Sequence, residues 1–445
     1  MDIRVRRVLF VIFSLIFLIS APALIFYAFG YRYNFTKGQL VKTGAMFIKS
    51  YPKDAGIYLD GKLLKNNTPA QLTHLLPNNY QIKIVKDGYW PWEKNLSVNS
   101  QSTTFIENVA LFKKDFVWQN LSSGNFDALL LSPELDQMAL RKNQNKLYQL
   151  ALYNLNNNKE KILYQTDSAK NLSLIAWCNS NKKFIAKQDT DWLIVNPENE
   201  QVNSLFSLTK RHFNEVKCDY YNDNLIYGLA DKKLYQINLT EKTSQLLINE
   251  PVLAFLPWKT KLLYVTALTG KDVLKSYFNK EAQEILTLPL AQRYQFIPSQ
   301  KESLALLNQD EATAYLLEPF AEQPVKGLLA NVAALKWYND EQLLYWNKFE
   351  LFAYYPKSEE KILLERSMAP VLNAFWHPGL VYAFSQTTEL LKIYELDSRD
   401  QRNIYDFLPL DPLTKDNLFI NKKGDVMYLI ANHDNQPGLY KIEIQ

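Results

Sequence analysis

The chain has 445 residues, of which 47% are hydrophobic and 22% are charged. This composition provides enough apolar sequence for two or three folded domains and excludes a disordered chain. The 50 Lys and Arg residues nearly balance the 46 Asp and Glu residues, so the charge gives no indication of nucleic-acid binding. With 27 Tyr, 24 Phe, 9 Trp and only 13 Gly, the sequence is typical of a mainly β protein.

An uncharged apolar segment, VLFVIFSLIFLISAPALIFYAF, occupies residues 8–29. Its length is sufficient for a helix to cross a hydrocarbon core of about 30 Å. Three arginines precede it and favour a cytoplasmic N-terminus, residues 1–7, although basic residues also follow it. We therefore expect a single-pass anchor in the cytoplasmic membrane, with the bulk of the chain extracytoplasmic. The alternative is a cleaved signal peptide, because Ala21-Pro22-Ala23 resembles a cleavage site.

Short β-type runs separated by turn residues follow, after residues 30–42, which we interpret as a linker. Asp60-Gly61 is a tight-turn dipeptide. In the run YQIKIVK, alternate residues from Tyr80 to Ile84 share one face of the pleat. Residues 43–112 are therefore predicted to form a small β domain with one buried face.

This small domain resembles the PEGA family. The resemblance rests on SYPKDAGIYLDGK followed by NTPAQLTHLLPNNYQIKIVKDGYWPW, whose Pro, Gly and Tyr landmarks keep the family's order and spacing. Asp54 and Asn78 occupy two positions where the family usually has glycine, and both residue types tolerate a positive φ at modest cost. The resemblance implies a compact β-sandwich-like surface or adaptor module without catalytic residues.

The remainder, residues 116–445, repeats a phrase of about 40 residues, as in KLYQINLTEKTSQLLI and ELFAYYPKSEEKILLE. Eight opening strands are predicted near Ala128, Leu174, Val216, Val252, Tyr294, Ala333, Leu372 and Leu418. Four-stranded units bury their faces against neighbours, so we predict a β-propeller with eight blades. Phrases such as LLSPELDQMAL resemble WD40-like and TolB-type blades. Seven blades, a β-solenoid and tandem sandwiches are the alternatives.

Two further expectations concern connections within the predicted propeller. The last repeat ends at GLYKIEIQ without a fourth strand, and FVWQNLS (residues 116–122) precedes the first repeat unpaired. We predict that these segments pair and close the ring. Cys178 and Cys218 take similar positions in neighbouring repeats; a disulfide is possible, but we expect two separate thiols near strand ends.

Sequence motifs for chemistry are absent. The four histidines show no metal-ligand spacing, and neither a G-x-S-x-G elbow nor a glycine-rich phosphate loop occurs. Carboxylate pairs such as Glu359-Glu360 lie in predicted charged turns. We therefore expect no catalytic residue, no cofactor and no metal site.

The segment Tyr89-Trp90-Pro91-Trp92 is the densest aromatic cluster of the small domain. Alternation places Trp90 and Trp92 on one face, and Pro91 predicts an edge or bend where large rings are poorly covered. Either the rings pack inside the small domain or against the first propeller blade, or they contact a partner. Trp90 and Trp92 are thus the candidate partner contact.

These observations favour a non-catalytic, membrane-anchored extracytoplasmic binding or scaffold protein of the bacterial cell surface. Its partner is expected to be another envelope protein or a cell-wall glycan. The alternatives are a subunit or receptor of an envelope complex for secretion, pili or sensing, and a carbohydrate-active or hydrolytic enzyme.

Overall fold

The computed structural model describes residues 3–35, 38–167, 169–299, 301–410 and 417–445. Parts of the predicted cytoplasmic segment (Met1 and Asp2), linker (Thr36 and Lys37) and propeller (168, 300 and 411–416) lie outside the described residues. The chain divides into two compact units. The small unit comprises Met1–Phe116, Glu395–Tyr405 and Ile444–Gln445, and the large unit comprises Val117–Tyr394 and Asp406–Glu443.

The chain begins with one long helix, α1 (Ile3–Ala28). Within it, Val5–Ala28 has a mean hydropathy of 2.8 and no part of its most apolar stretch is buried in the protein. This stretch is long and apolar enough to cross a membrane. The candidate cleavage sequence around Pro22 lies inside the helix.

The predicted linker contains a hairpin of β1 (Tyr31–Asn34) and β2 (Gln39–Lys42). The strands are antiparallel, with Tyr31 opposite Lys42 and Asn34 opposite Gln39. Aromatic and β-branched residues favour extended backbone here, and Gly38 supplies the positive φ of 63° that the turn requires.

The small β domain consists of two sheets, as the resemblance to the PEGA family implies. Its strands are β3 (Gly44–Tyr51), β4 (Gly56–Leu59), β5 (Lys62–Leu63), β6 (Ala70–Leu75), β7 (Asn78–Val85), β8 (Trp92–Val98) and β9 (Thr103–Ala110). They are arranged in the orders β6-β3-β9 and β5-β4-β7-β8. Only β3 and β9 are parallel among the described pairs of this domain. The inward side chains of both sheets, among them Met46, Ile57 and Ile82, form one apolar core.

Local backbone geometry explains the turn at Asp60-Gly61 and both departures from glycine, Asp54 and Asn78. Asp60 and Gly61 have φ values of 48° and 77° and form the tight turn between β4 and β5. Asp54 has a φ of 60°, so aspartate does adopt the left-handed conformation at that position. Asn78 begins β7, where extended backbone makes no such demand.

The large unit is built from four-stranded antiparallel sheets. Its elements are β10 (Gln119–Ser123), β11 (Asn125–Leu131), β12 (Gln137–Gln144), β13 (Leu147–Asn154), β14 (Lys159–Asp167), β15 (Leu172–Trp177), β16 (Phe184–Gln188), β17 (Asp191–Asn196), β18 (Gln201–Ser204), α2 (Leu205–Thr209), β19 (Glu215–Cys218), β20 (Leu225–Ala230), β21 (Lys233–Asn238), β22 (Thr243–Ile248), β23 (Val252–Trp258), β24 (Lys261–Leu268), β25 (Lys271–Phe278), β26 (Glu281–Leu288), β27 (Tyr294–Pro298), β28 (Leu304–Asn308), β29 (Thr313–Leu317), β30 (Val325–Leu329), β31 (Ala334–Asn339), β32 (Gln342–Trp346), β33 (Glu350–Tyr355), β34 (Glu360–Arg366), β35 (Asn373–Trp376), β36 (Tyr382–Gln386), β37 (Leu390–Glu395), β38 (Ile404–Pro409), β39 (Leu418–Ile420), β40 (Val426–His433) and β41 (Gln436–Glu443).

From β11 onwards, successive groups of four strands form seven sheets in chain order, which we number blades 1 to 7, and β39, β40 and β41 join β10 in blade 8. Seven of the residues named for the opening strands lie in, or directly before, the first strand of blades 1 to 7. The eighth, Leu418, begins β39 of blade 8. The central strands are the buried ones: every residue of β28 (Leu304–Asn308) is buried. The fourth strands, such as β26, are largely exposed, so the core lies between adjacent blades.

Blade 8 is closed by the pairing predicted from the sequence. Strand β10 lies antiparallel to β41, with Gln119 opposite Lys441 and Ser123 opposite Gly438. The prediction that the segments 116–122 and 438–445 complete each other is thus confirmed. The pairing covers what would otherwise be the exposed edge of β41.

The expectation of two separate thiols is wrong. Cys178 and Cys218 are bonded as a disulfide, with their Cα atoms 5.5 Å apart. Cys218 ends β19 and Cys178 directly follows β15, the first strands of blades 3 and 2. Equivalent positions on neighbouring blades lie side by side, and this brings two residues 40 positions apart into bonding range.

Candidate binding site

The candidate binding site is a recess in the large unit, where the first strands of blades 2 to 5 end. In a propeller the blades surround a central channel, so the ends of their first strands converge. The recess has a volume of about 550 Å³ and is lined by Ala176, Trp177, Cys178, Asn179, Ile185, Val216, Lys217, Cys218, Tyr220, Leu256, Pro257, Trp258, Phe296, Pro298 and Ser299.

Each of the four blades contributes one aromatic side chain to the lining: Trp177, Tyr220, Trp258 and Phe296. The indole N–H of Trp177 donates to the carbonyl of Leu130 in blade 1 at 3.1 Å. The rings of Tyr220 and Trp258 pack edge to face with centroids 6.2 Å apart. These contacts hold the rings in place, so the recess is preformed for an apolar or aromatic group.

Among the lining residues, which all belong to the described part of the chain, Lys217 carries the only formal charge. Its ammonium group donates to the carbonyl of Phe255 at 2.6 Å and lies 2.9 Å from the carboxylate of Glu215. The charge is therefore already compensated within the protein. The recess offers apolar contact rather than attraction for an ionic ligand.

A serine–aspartate contact lies beside the recess. Ser180 donates to the carboxylate of Asp223 in the next blade. Burial raises the pKa of Asp223, and the nearby Lys183 acts in the opposite direction. The same contact recurs between Ser299 and Asp340 of blades 5 and 6. Because it is repeated between different pairs of blades, we assign it a structural role in joining neighbouring turns.

The structure places the two tryptophans of the predicted partner contact differently. Trp92 is 1% exposed, and its indole N–H donates to Glu395 Oε1 at 2.9 Å. Trp90 is half-buried, with its ring centroid 6.3 Å from that of Tyr405 and 5.6 Å from the Lys114 ammonium group. Trp92 thus occupies the interior of the small unit, and a partner contact through Trp90 stays a prediction.

Beside Trp92 lies a buried ion pair that sequence reasoning missed. The Lys94 ammonium lies 3.3 Å from Glu395 Oε2, and the two side chains are 0% and 3% exposed. Lys94 also donates to the carbonyls of Asp397 and Arg399 at 2.6 and 2.9 Å. The amide N–H groups of Asn403, from its backbone and its side chain, complete the shell around Glu395 Oε2.

This arrangement satisfies every charged atom of the pair, as a buried ion pair requires. The inserted segment, Glu395–Tyr405, belongs to the small unit although it connects β37 and β38. No periodicity links a lysine in β8 to a glutamate some 300 residues later. The one sequence signal for an internal partner is the alternation of β8. It places Lys94 on the face that is expected to be buried.

The histidines and acidic residues that the structure describes do not gather into a metal site. In the part of the chain that the structure describes, no group of three or more His, Cys, Asp or Glu side chains is placed to hold a metal ion. His377 is fully buried and lies in blade 7, where its Nε2 is 3.2 Å from the carbonyl of Gly424. Burial lowers the pKa of His377 to about 4.

Comparison with known proteins agrees with this architecture. Residues 43–111 match the family model of the PEGA domain. The chain is similar in structure to the Dos1 propeller, at 11% identity and a TM-score of 0.51, over 73% of this chain and 93% of that one. It is also similar to a eukaryotic initiation factor, at 11% identity and a TM-score of 0.50, over 72% of this chain and 89% of that one. No curated protein matches the chain in sequence.

The class of protein is thus defined by two modules that follow an apolar helix. The first is a PEGA domain at residues 43–111, and the second is a β-propeller. Sequence identities of 11% to the solved structures support the fold alone. Both modules are of kinds that serve binding or scaffolding in many different proteins.

Proposed function

We propose that the chain is a non-catalytic binding or scaffold protein of the bacterial cell surface, anchored in the cytoplasmic membrane by α1. The observation that carries this proposal is the aromatic recess at the first strands of blades 2 to 5. It offers a preformed apolar surface, and the hydroxyl and carboxylate groups beside it are engaged in holding blades together.

Two observations support export of the residues that follow α1. Three arginines precede the apolar stretch, which favours a cytoplasmic N-terminus. The disulfide between Cys178 and Cys218 is the kind of bond that persists outside the cytoplasm and is rare within it.

The ligand of the recess is proposed to be a segment of another envelope protein that inserts an apolar or aromatic side chain. Desolvated pockets lined by Trp and Tyr are the usual centres of protein–protein binding energy. The compensated charge of Lys217 and the absence of another formal charge among the lining residues disfavour a small ionic substrate.

Site-specific photocrosslinking in intact cells tests this assignment. A benzoylphenylalanine at Tyr220, inside the recess, is expected to capture one defined envelope protein. The matched control is the same group at Phe278, which is 46% exposed and ends β25 away from the recess lining. Equal capture at both positions, or capture at neither, contradicts the proposal.

Topology is tested separately with a membrane-impermeant thiol reagent. A cysteine at the exposed residue Lys159 is expected to react from outside, and one at Asp2 is expected to react only after the membrane is permeabilised. The reverse pattern would rule out an extracytoplasmic protein. A mature chain that lacks residues 1–23 would instead support the cleaved signal peptide.

A further inference from the structure

A second cleft lies in the small unit. It has a volume of about 710 Å³ and is lined by Asn79, Asn95, Leu96, Ser97, Asn99, Ser102, Thr103, Thr104, Phe105, Arg399 and Asp400. Strand β8 is the edge of the four-stranded sheet and β9 is the edge of the three-stranded sheet. The cleft therefore runs along two sheet edges, and the inserted segment supplies its charged residues.

The lining is rich in amide and hydroxyl groups. Asn, Ser and Thr side chains both donate and accept hydrogen bonds, as sugar hydroxyls do. Within the described chain, the side chains of Asn79, Ser97 and Thr103 form no hydrogen bond, and Asn95 uses only its amide nitrogen, toward Asp400. Several neutral donors and acceptors are therefore available to a polar ligand.

An exposed aromatic ring stands at the edge of this polar lining. Phe105 is 55% exposed, although its neighbour Ile106 is buried in the core. Phe105 lies opposite Phe47 in the parallel pairing of β3 and β9, with ring centroids 6.3 Å apart. An apolar ring face beside amides and hydroxyls matches a pyranose, which has an apolar C–H face and a rim of hydroxyls.

The charged residues of the cleft are held by the protein and compensate one another. The Arg399 guanidinium binds the carboxylate of Asp397 through Nε and Nη2 and donates from Nη1 to the Phe105 carbonyl at 2.9 Å. Asp400 accepts from the Asn95 backbone N–H at 2.7 Å. One arginine between two aspartates leaves no excess positive charge, so the cleft is poorly suited to phosphate or other anionic groups.

We propose that this cleft binds a neutral oligosaccharide, with a sugar ring stacked on Phe105 and its hydroxyls bonded to the side chains of Asn79, Asn95 and Asn99. The cleft shares no lining residue with the propeller recess. The proposal for its ligand therefore does not depend on the ligand of the recess. Arg399 stays bound to Asp397 and to the Phe105 carbonyl, and so fixes the wall of the cleft beside the ring.

The test uses the full chain in lipid nanodiscs, free of sugar-based detergents. Chitotetraose, cellotetraose and maltotetraose are titrated by calorimetry, and the sugar protons in contact are identified by saturation-transfer NMR. At least one tetrasaccharide is expected to bind. Its affinity should fall about ten-fold in Phe105→Ala, the loss expected for one stacked ring, and also fall in Asn99→Ala.

Phe278→Ala removes a phenylalanine of similar exposure in the large unit and is expected to bind as the parent does. Unchanged melting of the variants shows that the loss is local. The proposal is overturned if none of the three sugars binds, if Phe105→Ala binds as well as the parent, or if tripolyphosphate binds more tightly than the sugars. None of these outcomes changes the crosslinking expected at Tyr220, so failure of this proposal can be told apart from failure of the proposal for the recess.

Discussion

The Nε2 atom of His377 lies 3.2 Å from the carbonyl oxygen of Gly424, across the boundary between blades 7 and 8. The other ring nitrogen, Nδ1, accepts from the Gly379 backbone N–H at 3.2 Å. Both contacts are satisfied together only by the neutral ring that carries its proton on Nε2. A buried neutral imidazole therefore joins the last two blades.

We expect this contact to make the large unit sensitive to acid. The pKa of His377 is lowered to about 4, first by burial, whereas an unfolded histidine titrates near 6.5. Protons then bind the unfolded chain preferentially as the pH falls from about 6.5 to about 4, so the stabilisation present above pH 6.5 is lost across that window and amounts to about 3 kcal/mol.

Chemical denaturation at pH 7.5 and pH 4.5 measures this loss. In His377→Gln the difference between the two pH values is expected to be smaller by about 2.5 kcal/mol, since pH 4.5 is still above the folded pKa. His212→Gln, which changes an exposed histidine, is expected to keep the parent's dependence. An identical pH dependence in His377→Gln and the parent contradicts the assignment.

Glycine is required at position 424 by both conformation and space. Gly424 has a φ of 81°, and a Cβ added there would lie 2.1 Å from the His377 ring; Gly270 has a φ of 80° but nothing within 4 Å. Gly270→Ala is expected to cost about 1 kcal/mol from the backbone alone. Gly424→Ala should cost at least about 2 kcal/mol more, because a buried ring must shift.

Denaturant unfolding of the two variants side by side isolates the steric part of this difference. Equal midpoints for Gly424→Ala and Gly270→Ala would show that the His377 ring is not held against the turn.

The buried ion pair of Lys94 and Glu395 predicts a strong asymmetry between single and double substitutions. Lys94→Met leaves the Glu395 carboxylate buried without its cation and should destabilise the small unit by about 3 kcal/mol or more. Lys94→Met combined with Glu395→Gln removes both charges and should recover much of that loss. The matched control is Lys83→Met, which breaks an exposed pair with Glu93 and should cost less than about 1 kcal/mol.

Hydrogen exchange of the β8 peptide is the appropriate measurement, because it reports on the small unit without assuming that the whole chain unfolds at once. Equal effects of Lys94→Met and Lys83→Met would argue against a desolvated pair.

The disulfide should stabilise the large unit by constraining its unfolded state. For a loop of 40 residues, the chain-entropy relation gives about 4 kcal/mol. Replacing both Cys178 and Cys218 with Ala is therefore expected to lower the free energy of unfolding by about that amount. Denaturation of the parent with reductant present should give the same shift, whereas two alkylatable thiols in unreduced, denatured protein would disprove the bond.

Sequence reasoning predicted the fold well where periodicity was local. The opening strands of the blades follow from alternation and turn residues that recur along the chain, and the pairing of residues 116–122 with the last strand follows from the missing fourth strand of the last repeat. The small domain was predicted from its resemblance to the PEGA family. The recess was not predicted, since Trp177, Tyr220 and Trp258 are unremarkable as single strand-end aromatics. Their convergence depends on how far each blade is rotated from the next, which no local pattern encodes.

The burial of Lys94 beside Trp92 illustrates the same limit. In the structure Lys94 shares the buried face of β8 with Trp92, whereas pattern rules expect a lysine to be exposed. The partner that buries it, Glu395, lies in a segment distant in sequence. Likewise, the approach of Cys178 to Cys218 depends on the lateral spacing of blades, which composition does not determine.

The pairing of β10 with β41 also has a consequence for biogenesis. The partners Gln119 and Lys441 are separated by nearly the entire propeller, so blade 8 stays incomplete until β41 has been synthesised. During that interval β10 lacks its strand partner, and the faces of blades 1 and 7 that pack against blade 8 are uncovered. A chain released before β41 is complete therefore keeps an unpaired strand edge and an uncovered apolar face, the two features that make incomplete β proteins prone to aggregation.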